Sequence, residues 1–378
     1  MVQHPSDPLR IVHVLRAPTG GLFRHVRDLA RSQSEVGHAV GVVCGAAPVI
    51  AADDGLPRCC RLGIHPLPMS RLPSAGDLVT ARRIARLLGR LRPDIIHGHG
   101  AKGGLHGRLA GRLIGTPTVY SPHGGSLHYR WSSIEGMAYL GTERLLRGAT
   151  GGLIFVCCHE RDAFDASIGL GETPCRVVHN GLWPEEFLPV TPDRDAAELL
   201  FIGELRWLKG ADVLIEAVAL AAPRRRLRLA VIGSGPDEDR LRQQVRKRGI
   251  DHLVSFHGPL PVRKALKRGR LVVLPSRAES FPYAMLETMA AARPLIASRI
   301  GGIPELVPAD SLVSPGDARA LLAAVEKALA DSSSEARARS QAQTMANVFE
   351  ASRMAEAVIG FYAVVLGYWR ALPDPVSK

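Results

Sequence analysis

Short apolar runs recur along this chain, each followed by a segment in which apolar and polar positions repeat with a helical period. In the first half the apolar runs at 10–15, 39–43, 94–97, 118–121, 152–156 and 176–179 predict strands. Helices are predicted at 24–36, 80–91 and 138–146. The pattern restarts at 198–202 and continues through 228–232, 253–256, 271–274 and 294–298, again with helical segments after the strands. Strand and helix alternating in this way imply parallel sheets covered on both faces, so the expected class is α/β with two doubly wound, Rossmann-like units. Between them WPEEFLPVTPDRD, rich in proline and acid, reads as a linker, and a last helix is predicted over about 349–372. The expected domains are 1–185, 186–350, and a terminal helix and tail at 351–378.

Length and composition fit that division. At 378 residues the chain is long for one core and typical of two domains. With 46% hydrophobic and 22% charged residues it is globular, without a low-complexity tract. The opening MVQHPSDPLR lacks the apolar stretch of a signal peptide, and the run at 355–368 is shorter than the roughly 18 apolar residues of a membrane span. A soluble, cytoplasmic protein is the expectation. The six cysteines show no paired CxxC spacing and read as reduced thiols. The patterns Asp193-Arg194-Asp195 and Asp237-Glu238-Asp239 lie in the linker and at a helix start, so they read as solvated turns, and no metal site is expected.

The chemistry concentrates in PSRAESFPYAMLETMAAARPLIASRIGGIPE, residues 275–305. A buried strand at 271–276, a loop and helix-forming residues at 283–292 make a strand–loop–helix unit. Ser280 is the expected helix cap, with Pro282 in the first turn. The N–H groups of Phe281, Tyr283 and Ala284 would then face an anion at the positive end of the helix. Glu279 precedes that helix and Glu287 lies one turn after Tyr283, with its side chain leaning back toward the N-terminus. Carboxylates repel phosphate but accept hydrogen bonds from hydroxyls. One anion site flanked by two hydroxyl acceptors suits a nucleoside diphosphate sugar. In GELRWLKG, Arg206 and Lys209 come after a predicted strand as two cations for the diphosphate.

These residues, with IVHVLRAPTGGLFRHVRDLA, PDIIHGHGAKGGLHGRLAG, TPTVYSPHG, VVHNGL, LLFIGELRWLKGADVLIEA, LAVIGSGP and VSFHGPL, resemble the retaining glycosyltransferases of family 4 over nearly the whole chain. Glu279 and Glu287 match that family's pair of glutamates in the C-terminal domain. The resemblance implies the GT-B architecture: two Rossmann-like domains facing a central cleft, with the C-terminal helix crossing back to the N-terminal domain. The active site would lie in that cleft, at the strand C-terminal ends. It also implies that Glu279 holds donor-sugar hydroxyls and Glu287 the ribose, that Gly233 in GSGP contacts the nucleotide, and that the imidazole of His123 faces the donor sugar. The commonest family pattern has Arg directly after the glycine where this chain has Glu204, so Arg206 is expected to take that role.

Further expectations rest on single residues. Gly20 and Gly21, after the first strand, permit close approach to pyrophosphate or acceptor. Lys102, the only lysine before Lys209, sits in what reads as a glycine-rich turn and is assigned to an acidic or phosphorylated acceptor, with His99 lining the same pocket. Asn180 and Gly181 read as hinge residues. The formal net charge is +12, and the segment at 82–92 (RRIARLLGRLR) is a basic amphipathic helix suited to an anionic membrane surface. Nucleic acid is a poorer partner, since aromatic residues are only 5% and no reading motif is present.

The expected function is metal-independent transfer of a hexose from a nucleotide sugar, UDP-linked, to a glycan or lipid-linked acceptor in cell-envelope or extracellular polysaccharide synthesis. No cofactor beyond the nucleotide-sugar co-substrate is expected. The alternatives are a GDP-mannose-dependent mannosyltransferase, a nucleotide-sugar epimerase of the same architecture and a non-catalytic nucleotide-sugar sensor. A phosphorylase is disfavoured, because no lysine stands in a pyridoxal phosphate context.

Overall fold

The computed structural model describes residues 7–45, 56–70, 74 and 76–371, so the extreme N-terminal residues and the end of the expected last helix at Leu372 lie outside the described residues. The chain divides into two compact units, Met1–Gly181 with Ala351–Lys378, and Leu182–Glu350.

The first unit is built on seven strands, β1 (Arg10–Leu15), β2 (Ala39–Cys44), β3 (Ile64–Pro66), β4 (Ile95–His99), β5 (Thr118–Ser121), β6 (Gly152–Phe155) and β7 (Cys175–Val177). Its helices are α1 (Gly20–Glu35), α2 (Leu56–Cys59), α3 (Gly76–Leu91), α4 (Gly100–Ile114), α5 (Ile134–Leu146) and α6 (Cys158–Ser167). All strands run parallel in the order β3-β2-β1-β4-β5-β6-β7, with Ile11 opposite Val40 on one side and Ile95 on the other. Alternate residues of β1 serve two cores, as a strand covered on both faces requires. Ile11 packs with Ile95, Val119 and Ile154, and Val12 and Val14 pack with Ile84, Ala85 and Leu88 of α3.

The second unit has β8 (Ala197–Ile202), β9 (Leu229–Ile232), β10 (Val254–Phe256), β11 (Gly269–Leu274), β12 (Leu295–Ser298) and β13 (Leu312–Val313). Its helices are α7 (Ala211–Ala221), α8 (Glu238–Arg248), α9 (Val262–Ala265), α10 (Tyr283–Ala290), α11 (Ala318–Ala330) and α12 (Ser334–Ala346). The sheet is parallel in the order β10-β9-β8-β11-β12-β13. Leu199, Phe201, Val231 and Val273 close its core against Leu214 and Val218 of α7 and Leu321 and Val325 of α11. The last helix, α13 (Ala351–Ala371), returns to the first unit, where Val358, Phe361, Tyr362 and Val365 cover the core around Ile11.

The two doubly wound parallel sheets expected from the alternation are present. Each reverses its strand order once, between β1 and β4 in the first unit and between β8 and β11 in the second, and such switch points open a crevice at the strand C-terminal ends. The linker expected at 183–195 is part of the second unit, held by hydrogen bonds from Val190 N–H to Ala291 and from Asp193 N–H to Lys267. The glycine-rich turn expected around Lys102 is the start of α4. Its glycines let the helix lie directly on the sheet: a Cβ on Gly103 would stand 2.3 Å from the Val14 carbonyl and one on Gly104 2.1 Å from the Tyr120 ring. Among the described residues no helix is long and apolar enough to cross a membrane.

Candidate functional site

In the second unit the loops after β8 and β11 flank the switch point and carry Lys209 and Glu279. The Lys209 ammonium donates to both carboxylate oxygens of Glu279 at 2.7 and 2.8 Å, and the Ser276 hydroxyl donates to the same carboxylate at 2.9 Å. Arg277 braces the two loops. Its guanidinium meets both oxygens of Asp212 at 2.8 and 2.7 Å, donates to the Trp207 carbonyl and lies over the Trp207 ring. Sequence reading missed Arg277, whose signal was its place beside Ser276 at a strand end. Arg206 is held elsewhere, 3.4 Å from the Glu204 carboxylate at the surface.

Beyond Glu279 the chain turns into α10, and here the expected cap is corrected. Pro282 is the N-cap and Tyr283 the first helical residue, while the Ser280 carbonyl accepts the Gly302 N–H at 2.7 Å. The Ser280 backbone is therefore tied to the turn after β12. That turn needs Gly301, with φ +54°, because a Cβ there would stand 2.1 Å from the Glu279 carbonyl. The N–H of Ala284 lies in the first turn of α10, where a helix supplies no internal partner. The Phe281 and Tyr283 side chains are buried, with Phe281 stacked on Phe349, so only their backbone groups suit an anion. Glu287 is half-buried on α10. Gly233 has φ +138°, and a Cβ would collide with the Gly203 carbonyl at 1.9 Å, which gives its glycine a structural reason.

In the first unit Gly20 and Gly21 are exposed at the start of α1. The larger finding is a group of five histidines beside the β1–β4 switch point: His13 on β1, His25 on α1, His97 and His99 on β4, and His123 after β5. His13 Nδ1 is 2.9 Å from His99 Nε2, and His99 Nδ1 is 3.1 Å from His123 Nε2. His13 Nε2 meets Gln33 Oε1 at 2.9 Å, and His97 bridges Tyr362 and Ser121 at 2.7 and 2.9 Å. His25 Nδ1 meets Asn180 Oδ1 at 2.9 Å, so the residue expected to shape a hinge orients a histidine.

Burial pushes His13 and His25 down to about 4, and pushes His97, His99 and His123 well below the ordinary imidazole value. The rings are therefore neutral at pH 7. His123 itself has φ +52°, with Gly124 next at +77°, a backbone conformation rare for a non-glycine residue. Its turn is fixed by the Glu160 carboxylate, which accepts the N–H groups of Gly124 and Val156. Ring nitrogens of His13, His97 and His99, and of His25, His99 and His123, lie within 4.8 Å of one another, a spacing that suits a metal ion. Both nitrogens of His13, His97 and His99 already face hydrogen-bond partners, so the cluster is built as a hydrogen-bonded network.

His99 is 1% exposed with both nitrogens engaged, and offers no edge to an acceptor. Lys102 is also buried: its ammonium meets both oxygens of Asp77 at 2.8 and 2.6 Å, with His106 3.4 Å from the same carboxylate. Burial is the largest single influence and would raise the Asp77 carboxyl, but the Lys102 hydrogen bond, the Ser74 N–H and the nearby Lys102 and His106 together hold the group below its ordinary value. The charge assigned to an acceptor is committed to an internal pair. Sequence reading missed His13, His25 and His97; the available signal was that His13 and His97 stand on predicted strands, while His25 lies in the helix predicted after the first strand.

Comparison with known proteins gives the same division. The family described as Glycosyltransferase Family 4 matches residues 19–186, and that described as Glycosyl transferases group 1 matches residues 196–331. Glycogen synthase of Mycobacterium tuberculosis (strain ATCC 25618 / H37Rv) is 28% identical over 384 residues, covering 91% of each chain. D-inositol 3-phosphate glycosyltransferase 1 of Catenulispora acidiphila is 29% identical over 381 residues, covering 86% of this chain and 88% of that one. The Anabaena protein HepE, solved with UDP and glucose, superposes with a TM-score of 0.80 at 19% identity over 94% of this chain and 100% of its own.

Proposed function

The chain belongs to the family 4 glycosyltransferases, and from that premise we propose that it transfers a sugar with retention from a UDP-linked donor to a hydroxyl of a glycan or lipid-linked acceptor. The observation that carries this reading is the meeting of Lys209 and Glu279 at the β8–β11 switch point, beside the start of α10. A cation, a hydroxyl-accepting carboxylate and helix N–H groups stand together there, as a nucleoside diphosphate sugar requires. The solved HepE complex holds UDP and glucose, which supports a uridine nucleotide.

In this reading Lys209 takes the diphosphate and offsets the charge that grows on it as the glycosidic bond breaks. Arg206, partly exposed beside Glu204, helps to offset that charge. Glu279 accepts donor-sugar hydroxyls, Glu287 the ribose, and the N–H groups at Phe281, Tyr283 and Ala284 the phosphate. His123 accepts a sugar hydroxyl as a neutral ring. A donor phosphate oxygen takes the acceptor proton, and no metal is needed at the diphosphate. The acceptor belongs to envelope or extracellular polysaccharide, met by the first unit.

The test is a thermal-shift panel of UDP-, GDP- and ADP-sugars, then turnover of the best ligand. A ligand at 100 times its dissociation constant stabilises by about 2.7 kcal/mol. Stabilisation by UDP-sugars with UDP released only in the presence of acceptor is the expected result. Preference for GDP-mannose would move the donor assignment, and consumption of donor to an isomer without acceptor would replace transfer with epimerisation.

A further inference from the structure

The hydrogen-bonded chain among the histidines has a direction, set at its buried end. Gln33 turns its carbonyl oxygen toward His13 Nε2, while its amide nitrogen faces the Tyr362 hydroxyl at 3.5 Å. A carbonyl oxygen only accepts, so His13 carries its proton on Nε2. In a neutral ring Nδ1 is then a lone pair, and His99 Nε2, 2.9 Å away, donates to it. That leaves His99 Nδ1 as a lone pair, to which His123 Nε2 donates at 3.1 Å. The proton order ends with a bare lone pair on His123 Nδ1.

His25 reaches the same state by a separate route. Its Nδ1 donates to Asn180 Oδ1 at 2.9 Å, and its Nε2 is a buried lone pair with no hydrogen-bond partner among the described residues. The His25 and His123 rings meet edge to face, with centroids 4.7 Å apart. A buried acceptor left unsatisfied is costly unless something occupies it.

We propose that Gln33, His13 and His99 are positioning residues that hold His123 with its proton on Nε2, so that His123 Nδ1 and His25 Nε2 together accept hydrogen bonds from hydroxyls of an uncharged sugar ring. The inference rests on the reading that the chain takes a nucleotide sugar, and it deepens that reading by naming what selects the sugar half. Two lone pairs repel phosphate and carboxylate and attract O–H donors, so the pair discriminates against acidic sugars. Neutral rings also add no positive charge beside a developing oxocarbenium ion. Burial holds both rings well below their ordinary values, in keeping with that role.

The full chain labelled with 15N-histidine tests this by NMR of the ring nitrogens at pH 7.5, with His123→Gln used to assign the His123 signals. Calorimetry with UDP-glucose and with UDP gives the functional readout. Wild type should show His123 protonated on Nε2. Gln33→Leu should lose that tautomer preference and bind UDP-glucose about tenfold more weakly, with UDP affinity kept, since one oriented hydrogen bond is at stake. His13→Asn, whose amide oxygen can replace Nδ1 as acceptor, should keep the tautomer and the affinity, whereas His13→Leu should lose both. If His13→Leu does not fold, Gln33→Leu on α1 carries the test alone. A wild-type His123 protonated on Nδ1 would overturn the proposal, because it means that every proton in the chain runs the other way. So would a Gln33→Leu protein whose tautomer changes while UDP-glucose affinity does not. Failure to bind either UDP or UDP-glucose would instead overturn the nucleotide-sugar reading, a result distinct from the tautomer, which is read without ligand.

Discussion

Lys209 and Glu279, 70 positions apart in the chain, share a two-pronged ion pair at 2.7 and 2.8 Å. Each was expected to hold a different part of the donor, yet in the structure each is the other's partner. The lysine side chain is 30% exposed and the glutamate 12%, so the cation is the one an arriving diphosphate can reach. A diphosphate that draws Lys209 away releases the Glu279 carboxylate to accept sugar hydroxyls. Binding of the nucleotide half would thereby prepare the sugar half.

This arrangement separates the two variants. Lys209→Ala should weaken both UDP and donor binding about ten- to a hundredfold, the cost of a lost hydrogen bond to a charged group of roughly 1.5–3 kcal/mol. Glu279→Gln should leave UDP binding unchanged or tighter, because the ammonium loses its competitor, while sugar transfer falls. Glu287→Ala should weaken UDP and UDP-sugar alike. Calorimetry with UDP beside a turnover assay separates these outcomes, and equal losses of UDP affinity in the Lys209 and Glu279 variants would refute the competition.

Much of this site was legible in the sequence because it depends on strand ends. Apolar runs such as LVVL and LLFI announce buried strands, and the residues just after a buried parallel strand land at the switch point whatever the details of the loop. Less legible were the edge strands β3 and β13, whose three and two residues carry no periodic signal. The start of α4 was obscured because five glycines from Gly100 to Gly111 argue against a helix, and close packing against β1, β4, β5 and Leu22 explains them. The histidine network was hidden altogether. Its members lie up to 110 positions apart, and the burial that keeps them neutral is a tertiary property. Lys102 was placed in the right part of the chain but given the wrong kind of partner, since Asp77 reaches it only once α3 and α4 pack.

The buried pair makes Lys102 a stability residue. Lys102→Ala leaves the Asp77 carboxylate without its cation, and breaking a buried pair in this way costs about 3–5 kcal/mol. Denaturant unfolding should show that loss, and Asp77→Leu with Lys102→Met together should recover much of it. A variant of unchanged stability with a raised acceptor KM would return Lys102 to the acceptor.

Stability should also depend on pH through the histidines. His13 and His25 have folded values near 4, below the ordinary 6.5, so the unfolded chain binds the protons that the folded chain refuses. Their contribution is fully present above about pH 6.5 and is lost as pH falls toward 4, each group changing stability by up to about 1.4 kcal/mol per pH unit. His106, also lowered to about 4 by burial, acts in the same direction. The melting temperature should therefore fall steeply between pH 6.5 and 5, before carboxylates titrate. His25→Gln should flatten the slope, and a melting temperature constant across that window would show that the rings are not buried neutral.

At the diphosphate, cationic side chains are proposed in place of a divalent ion, so sugar transfer should persist in excess EDTA. Two aspartates of the metal-like patterns have other partners: Asp237, at the N-cap position of α8, pairs with Arg240 at 3.3 Å, and Asp193 lies 3.9 Å from Arg268. Loss of activity in EDTA that Mg²⁺ or Mn²⁺ restores would place an ion in the reaction and make those aspartates the first to replace.

The membrane contact proposed for the arginines of α3 is expected to be electrostatic. Ile84, Ala85 and Leu88 are buried in the first unit's own core, so the apolar face is already used, while Arg82, Arg83, Arg86, Arg90 and Arg92 are exposed. Basic residues near an anionic surface contribute on the order of 1 kcal/mol each, and the attraction fades within about 8 Å at physiological salt. The protein should therefore sediment with vesicles containing phosphatidylserine at low salt, be released as salt rises, and show no affinity for neutral vesicles. Replacing Arg83, Arg86 and Arg90 with Gln should abolish sedimentation without altering UDP affinity, which is assigned to the other unit. Binding that survives high salt would point to apolar contact elsewhere on the protein, and no binding at low salt would make a soluble acceptor the better choice.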